Sequence, residues 1–364
     1  MADAALDGYR VDHNILRTQI DRLLQSWGVS PNDAAIITDA LMWADLRGVD
    51  SHGMSLLPGY AAACRKTPQR AKAMATVARD GPAFALIDGH GGFGHPVARM
   101  AMTTAMAKAR QFGVGMVAVR NSGHFGPAGF YTEMAAEQGL IGLATTTVTG
   151  LRVAPTGGRQ ARLGTDPISF AAPSADGLPF LLDMATTTVA AGKLRNKAVE
   201  GLQCPPGWVL DGEGRPSTDP MMGLTDAGFM TSLGGSAESG SYKGYGLSVM
   251  VNILSSCLSG AALITDPQRG TRESGVEIGH FFLVIDPCVF RDGDAFAQDV
   301  AALNGALRAT PRADPEVPVM VAGDPERATL ATRLRDGVPV APAFREKLRR
   351  LVERSGVAWL LPEA

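Results

Sequence analysis

Residues 96–148 read PVARMAMTTAMAKARQFG, VGMVAVRN, SGHFGPAGF, YTEMAAEQG and LIGLATTTV, and this run decides the fold. Its first piece (96–113) spaces apolar residues as a helix does, with Pro96 near its start and Gly113 just past its end. VGMVAVRN (114–121) and LIGLATTTV (140–148) are short apolar runs of the kind that form buried strands. Between them lie a glycine-rich loop (122–130) and a second helical stretch (131–139). Helix, strand, loop, helix and strand in succession predict an α/β fold.

Working outward, AFALIDG (83–89) adds a strand and a turn in front. Residues 11–29 carry Ile15, Ile20, Leu23 and Leu24 at helical spacing, with Asp12 as a cap and Gly28 as a stop. Ser30 caps a second helix, Pro31 takes its first position, and the helix runs to Gly48. Between 150 and 245, Pro, Gly and Thr punctuate ISFAAP, FLLDMATTT and GWVLD, which reads as sheet with turns. YGLSVMVNILSSCLSGAAL (245–263) is apolar on every face and predicts a buried helix. GHFFLVIDP (279–287) predicts a buried strand, and AFREKLRRLVERSG (343–356) an amphipathic helix. No internal repeat or low-complexity linker interrupts the pattern.

The chain has 364 residues, 45% hydrophobic and 19% charged, a globular balance with ample core volume. A net charge of -2 gives no field that selects nucleic acid or an anionic membrane. Cys64, Cys204, Cys257 and Cys288 form no CxxC pair, so neither a metal site nor a disulfide framework is expected. No run reaches the ~18 apolar residues of a membrane span. The start, MADAALDGYRVDHN, lacks an apolar leader segment, so a cytoplasmic protein is expected.

Gly89-His90-Gly91-Gly92-Phe93-Gly94 matches a dinucleotide-binding GxGxxG. Such a loop needs an acid at the end of the next strand to hold the ribose, and that strand ends Val119-Arg120-Asn121. The missing acid favours a structural turn over a phosphate loop. Among the six histidines, His13, His90, His95 and His280 read as terminal, turn or strand residues. His52, in RGVDSHGM, follows a buried helix; it is either a helix cap or an imidazole presented to a cleft. His124, in NSGHFG, follows a buried strand, where α/β proteins bind ligands or simply turn. Lys243, in SYKGYG, is either a solvated lysine or an anion-binding group at a helix start. Asp183 is a lone acid in an apolar strand, so it is a structural cap or a site residue.

Seven blocks in order carry a further reading: ADLRGVDSHGM (44–54), VRNSGHFGPAGFY (119–131), GTDPISFAAP (164–173), DMATTTVAAGK (183–193), GWVLDGEGRPSTDP (207–220), YKGYGLSVMV (242–251) and GHFFLVIDP (279–287). Together they resemble the malate/L-lactate dehydrogenase family, whose nicotinamide-binding fold is not of Rossmann type and whose members include sulfolactate dehydrogenases and Δ1-piperideine-2-carboxylate reductases. The resemblance implies a mixed-sheet NAD(P)-binding domain over 121–299 and a helical domain for substrate and dimer contacts built from 1–120 and 300–364. It implies NADH or NADPH as cofactor, a homodimer, and hydride transfer at C2 of a small 2-oxo or 2-hydroxy acid. His52 or His124 would move the proton, with Ser51 beside the substrate and Tyr60 facing it. Asp183, Met184, Ala185, Thr186, Lys243, Gly244, Gly323, Asp324 and Pro325 match cofactor-contacting positions.

One departure concerns the substrate. The family commonly reads SHGxxR with a second Arg three residues later, and here Leu56 and Gly59 take those places. A carboxylate needs a charged partner, so the change points to a bulkier or apolar substrate group there, or to a carboxylate held elsewhere, by Arg47 or Lys243, and plain malate or lactate is not expected. A second departure is the lengthened run before KGYG, where Ser236–Ser241 reads as a flexible flap. A cyclic imino-acid reductase and a non-catalytic binding protein of the same fold stand as alternatives; retention of Ser51, His52, His124, Asp183 and Lys243 argues against the second.

Overall fold

The computed structural model of the chain describes residues 8–263 and 278–363. Strand β1 (Arg10–Val11) leads into helices α1 (His13–Ser26), α2 (Pro31–Leu46) and α3 (Leu57–Lys66). Then come β2 (Thr76–Asp80), β3 (Phe84–Asp88), α4 (Gly94–Phe112), β4 (Val114–Ser122), α5 (Ala128–Ala136), β5 (Ile141–Thr146), β6 (Ile168–Ala172) and β7 (Phe180–Met184). The middle of the chain forms α6 (Ala191–Val199), β8 (Val209–Asp211), β9 (Pro216–Ser217), β10 (Gly228–Met230) and α7 (Ser241–Asn252). The last part forms β11 (Ile278–Ile285), α8 (Ala295–Arg308), α9 (Asp324–Asp336), β12 (Val338–Pro339) and α10 (Pro342–Arg354).

The helix ends follow the side-chain chemistry expected of them. Asp12 accepts the Asn14 amide, Ser30 accepts the Asp33 amide behind Pro31, and Gly113 closes α4 in the left-handed region at φ 81°.

The main sheet runs β2-β3-β4-β11-β5-β6-β7. Only β3 and β4 pair in parallel, joined by α4; the other neighbours are antiparallel. This is the mixed-sheet α/β fold expected of the sequence. Ile87, Met102, Val117, Val119, Tyr131 and Phe282 pack between the sheet and α4 and α5. A second core joins the two ends of the chain: Leu16, Ile20, Leu23, Ile37, Leu41 and Leu57 pack with Val338, Leu348 and Val352, and β1 pairs with β12. Strands β2 to β4 share a sheet with β5 to β7, so the sheet continues across residue 120, where the sequence placed a boundary.

Two expectations are corrected. Helix α7 starts at Ser241, not at 245, and is not buried all round. Its small and polar residues face inward (Gly244, Ser248, Asn252, with Ser255 and Ser256 in the following turn), while Ile253 is 52% and Leu258 60% exposed. The cause is a polar anchor. The buried Asp166 carboxylate accepts Ser248 Oγ at 2.6 Å and Asn252 Nδ2 at 2.9 Å, and Ser255 Oγ lies 2.7 Å from Thr145 Oγ. The second correction concerns Ser236–Ser241, which forms a closed turn. Ser239 Oγ accepts the Ser236 amide at 3.0 Å, and the Ser236 carbonyl accepts the Ser241 amide that begins α7. No helix among the described residues is long and apolar enough to cross a membrane.

Candidate active site

Helix α2 delivers His52. Past Arg47 the chain makes a 3₁₀ turn, Asp50–His52, and a second one from Met54 to Leu56. The loop is clamped from both sides. Asp50 pairs with Arg333 of α9, and the buried Asp45 carboxyl accepts the Met54 amide at 2.8 Å. A Cβ at position 53 would lie 1.8 Å from Asp45 Oδ1, so only glycine fits between them. Burial pushes the Asp45 carboxyl up to about 8. Ser51 Oγ lies 2.9 Å from His52 Nδ1, and the start of α6 abuts it: a Cβ on Gly192 would sit 3.8 Å from Ser51 Cβ.

Strand β4 delivers His124. The next residue, Phe125, stacks on His280 of β11 at 4.6 Å between ring centroids. His280 is fully buried and bonded to Ser122 at 2.8 Å and Thr146 at 2.7 Å, the structural role expected of it. The His52 and His124 rings stack at 5.7 Å and 24°. His124 Nδ1 is 2.9 Å from Tyr60 Oη of α3 and accepts the Gly126 amide at 3.2 Å. Two nearby imidazoles resist holding two protons. Burial, and then the charge of His52, pushes His124 down to about 3, while burial alone lowers His52. Tyr60, buried, is pushed up by burial and keeps its proton.

The helical body thus supplies Ser51, His52 and Tyr60, and the sheet body supplies His124. His95 of α4 joins them, with Nε2 3.5 Å from Tyr60 Oη. Sequence reasoning passed over His95 because it follows the glycine turn. Those glycines carry the signal: a Cβ on Gly94 would fall 2.1 Å from the Gly123 carbonyl, so the turn exists to bring α4 against the His124 loop. The amides of Gly89 and Gly91 bond the carbonyls of Arg120 and Asn121 and are not free for a phosphate.

The other candidate positions divide. Asp183 accepts the Gly129 amide at 2.7 Å and so caps α5, yet it stays open on one side; the crowding around it pushes its carboxyl up to about 6. Met184 and Ala185 are half-buried beside it. Thr186 is buried, with its amide and hydroxyl both on the Thr165 carbonyl. Lys243 is exposed in the first turn of α7, and Gly244 is packed against Leu233. Pro325 is exposed; Gly323 takes φ 97°, and Asp324 is bound by Arg308, Arg327 and the Val321 amide, which hold its carboxyl low. Arg47 is paired with Glu133 at 2.8 Å and lies over Trp43, so its charge is already matched. Leu56 packs on the helical core, and Gly59 faces open space. Lys193, which sequence reasoning did not single out, stands exposed in the first turn of α6. Among the described residues no cluster of three or more His, Cys, Asp and Glu could hold a metal ion. A cleft of about 1430 Å³ between α2, β2 and α4 contains none of the imidazole pair and is set apart from this chemistry.

Comparison with known proteins gives the family of the chain. The family model for malate/L-lactate dehydrogenase matches residues 11–349. The malate dehydrogenase of Pyrococcus horikoshii is 40% identical over 97% of this chain and 99% of its own. The crystal structure of malate dehydrogenase from Entamoeba histolytica superposes with a TM-score of 0.90 at 31% identity, covering 96% of this chain and 99% of that one. The sulfolactate dehydrogenase of Methanocaldococcus jannaschii superposes with a TM-score of 0.86 at 32% identity, covering 96% and 98%. The chain belongs to the malate/L-lactate dehydrogenase family and is an oxidoreductase.

Proposed function

We propose that the protein interconverts a small 2-oxo acid and its 2-hydroxy acid at C2, with NADH or NADPH, and that His52 moves the proton. The observation that carries this is the His52–His124 stack at 5.7 Å, set between the helical body and the sheet. The surrounding groups suit a nicotinamide dinucleotide: Asp183 offers an acceptor for a hydroxyl, and Lys243 offers a cation at a helix start. When bound, the nicotinamide supplies the hydride that reaches C2.

The protein's own part is to place charge and protons. Burial lowers both rings and His124 is held down further by His52, so the proton is assigned to His52, whose Nδ1 faces Ser51 Oγ at 2.9 Å. With Ser51 Oγ accepting from His52 Nδ1, Nε2 is left to donate to the oxygen on C2. His124 remains neutral beside it. Arg47 is occupied by Glu133, so the substrate carboxylate is assigned to the start of α6, where Lys193 stands and no side chain caps the helix. Leu56 and Gly59 leave the far end of the substrate without a cation, which favours an aliphatic or aromatic 2-oxo acid over a dicarboxylic one.

The test is oxidation of reduced nicotinamide, followed by absorbance, with NADH or NADPH and a panel of small, dicarboxylic and aromatic 2-oxo acids. Turnover that falls about 10²- to 10⁴-fold in His52→Gln is expected. Turnover of cyclic imines alone would replace this reading with an imine reductase. No turnover on any of them would overturn it.

A further inference from the structure

We propose that His95, acting through Tyr60, holds His124 as the neutral tautomer protonated on Nε2, so that His124 donates a hydrogen bond to the oxygen on C2; His95 is a positioning residue. This rests on the reading that C2 chemistry takes place at the imidazole pair.

His95 is the second residue of α4 and is fully buried. Its Nε2 lies 3.5 Å from Tyr60 Oη, the long end of a hydrogen bond, and its Nδ1 has no partner. A helix N-terminus repels an imidazolium, and burial presses the same way, so the ring is neutral and carries one N–H. A buried N–H without an acceptor is more costly than a buried lone pair without a donor. The proton therefore belongs on Nε2, where it meets Tyr60 Oη.

Tyr60 then accepts from His95 and turns its own hydrogen toward His124 Nδ1, 2.9 Å away. The Gly126 amide donates to the same nitrogen at 3.2 Å. Two donors converging on Nδ1 need its lone pair, which leaves the His124 proton on Nε2. No group among the described residues bonds that nitrogen, and the ring is half-buried at the junction of the two bodies. Gly126 belongs to the same device. It adopts φ 75°, and a Cβ there would lie 2.9 Å from His95 Nε2, so glycine lets the loop rest on the His95 ring. The chain is not a proton wire, because it ends at His95 Nδ1 with no outlet. Its direction runs one way, from His95 through Tyr60 to His124.

The experiment is ¹⁵N NMR of histidine-labelled protein at neutral pH, with the His124 signals assigned by their loss in His124→Gln. Wild type should show Nδ1 unprotonated and Nε2 protonated. His95→Leu should lose that single tautomer, and His95→Gln, whose amide can replace the Nε2 donor, should restore it. In turnover, His95→Leu should lower kcat about 10- to 100-fold with the KM for cofactor unchanged, less than removing a catalytic imidazole. His95→Gln should recover most of that loss, and Tyr60→Phe/His95→Leu should be no slower than Tyr60→Phe alone. An unchanged His124 tautomer in His95→Leu overturns the proposal. Equal loss of activity in the Leu and Gln variants also overturns it, by assigning His95 to packing alone. The tautomer is read without substrate, so it stands or falls independently of the reaction.

Discussion

Asp166 Oδ2 accepts Asn252 Nδ2 at 2.9 Å inside the protein, and this bond anchors the inward side of helix α7. Ser248 donates to the same oxygen at 2.6 Å. Asp166→Ala strips both donors of their partner. It is expected to lower stability by about 2–3 kcal/mol in urea unfolding. Ile253→Ser, on the outward side, should change it by less than about 0.5 kcal/mol. Equal costs for the two would overturn the inward-facing assignment.

Arg47 and Glu133 form a largely buried pair at 2.8 Å, with Trp43 Nε1 also donating to Glu133. Arg47→Met leaves a buried carboxylate without its cation and should cost about 3–5 kcal/mol. Arg47→Met/Glu133→Gln should recover much of that. The KM for the 2-oxo acid should stay unchanged in the double variant, whereas a rise would return Arg47 to substrate binding.

Asp45 gives stability a sign with pH. Its folded pKa, raised to about 8, lies above its ordinary value of 3.8, so the native state holds more protons between the two. That contribution is complete below the ordinary value and is lost as pH rises through about 8. Melting temperature should therefore fall between pH ~4 and ~8 in wild type and level off above, and fall less in Asp45→Asn. Parallel curves would show that Asp45 does not titrate in this window.

In the function proposed, Lys193 receives the substrate carboxylate at the start of α6. Lys193→Met should raise the KM for the 2-oxo acid about tenfold, the loss of one charge-assisted hydrogen bond, while the melting temperature holds. A rise confined to the KM for cofactor would move the lysine to the dinucleotide instead.

Leu56 stands where the sequence resemblance leads one to expect an arginine, and Gly59 opens space one turn on. Leu56→Arg should shift kcat/KM about tenfold toward dicarboxylic 2-oxo acids relative to aliphatic ones. No shift would mean that the far end of the substrate lies away from α3.

Much of this was legible in one dimension. The helix caps at Asp12 and Ser30, the stop at Gly113 and the strand 114–122 follow from local preferences, which act between residues a few positions apart. The order of motifs around His52, His124 and Asp183 carried the family. What local rules could not reach was the outcome of long-range packing. Ser122 and His280, 158 positions apart, are joined because β11 enters the sheet between β4 and β5. That insertion sets Phe125 on His280 and so aims the His124 loop. The same holds for His95, which joins the site because Gly94 lets α4 approach the His124 loop, and for α7, whose inward side is anchored on Asp166. Hydrophobic periodicity reports which side of a helix prefers to leave water; a buried carboxylate that must be satisfied can outweigh it, and the sequence does not show which helix that carboxylate will meet.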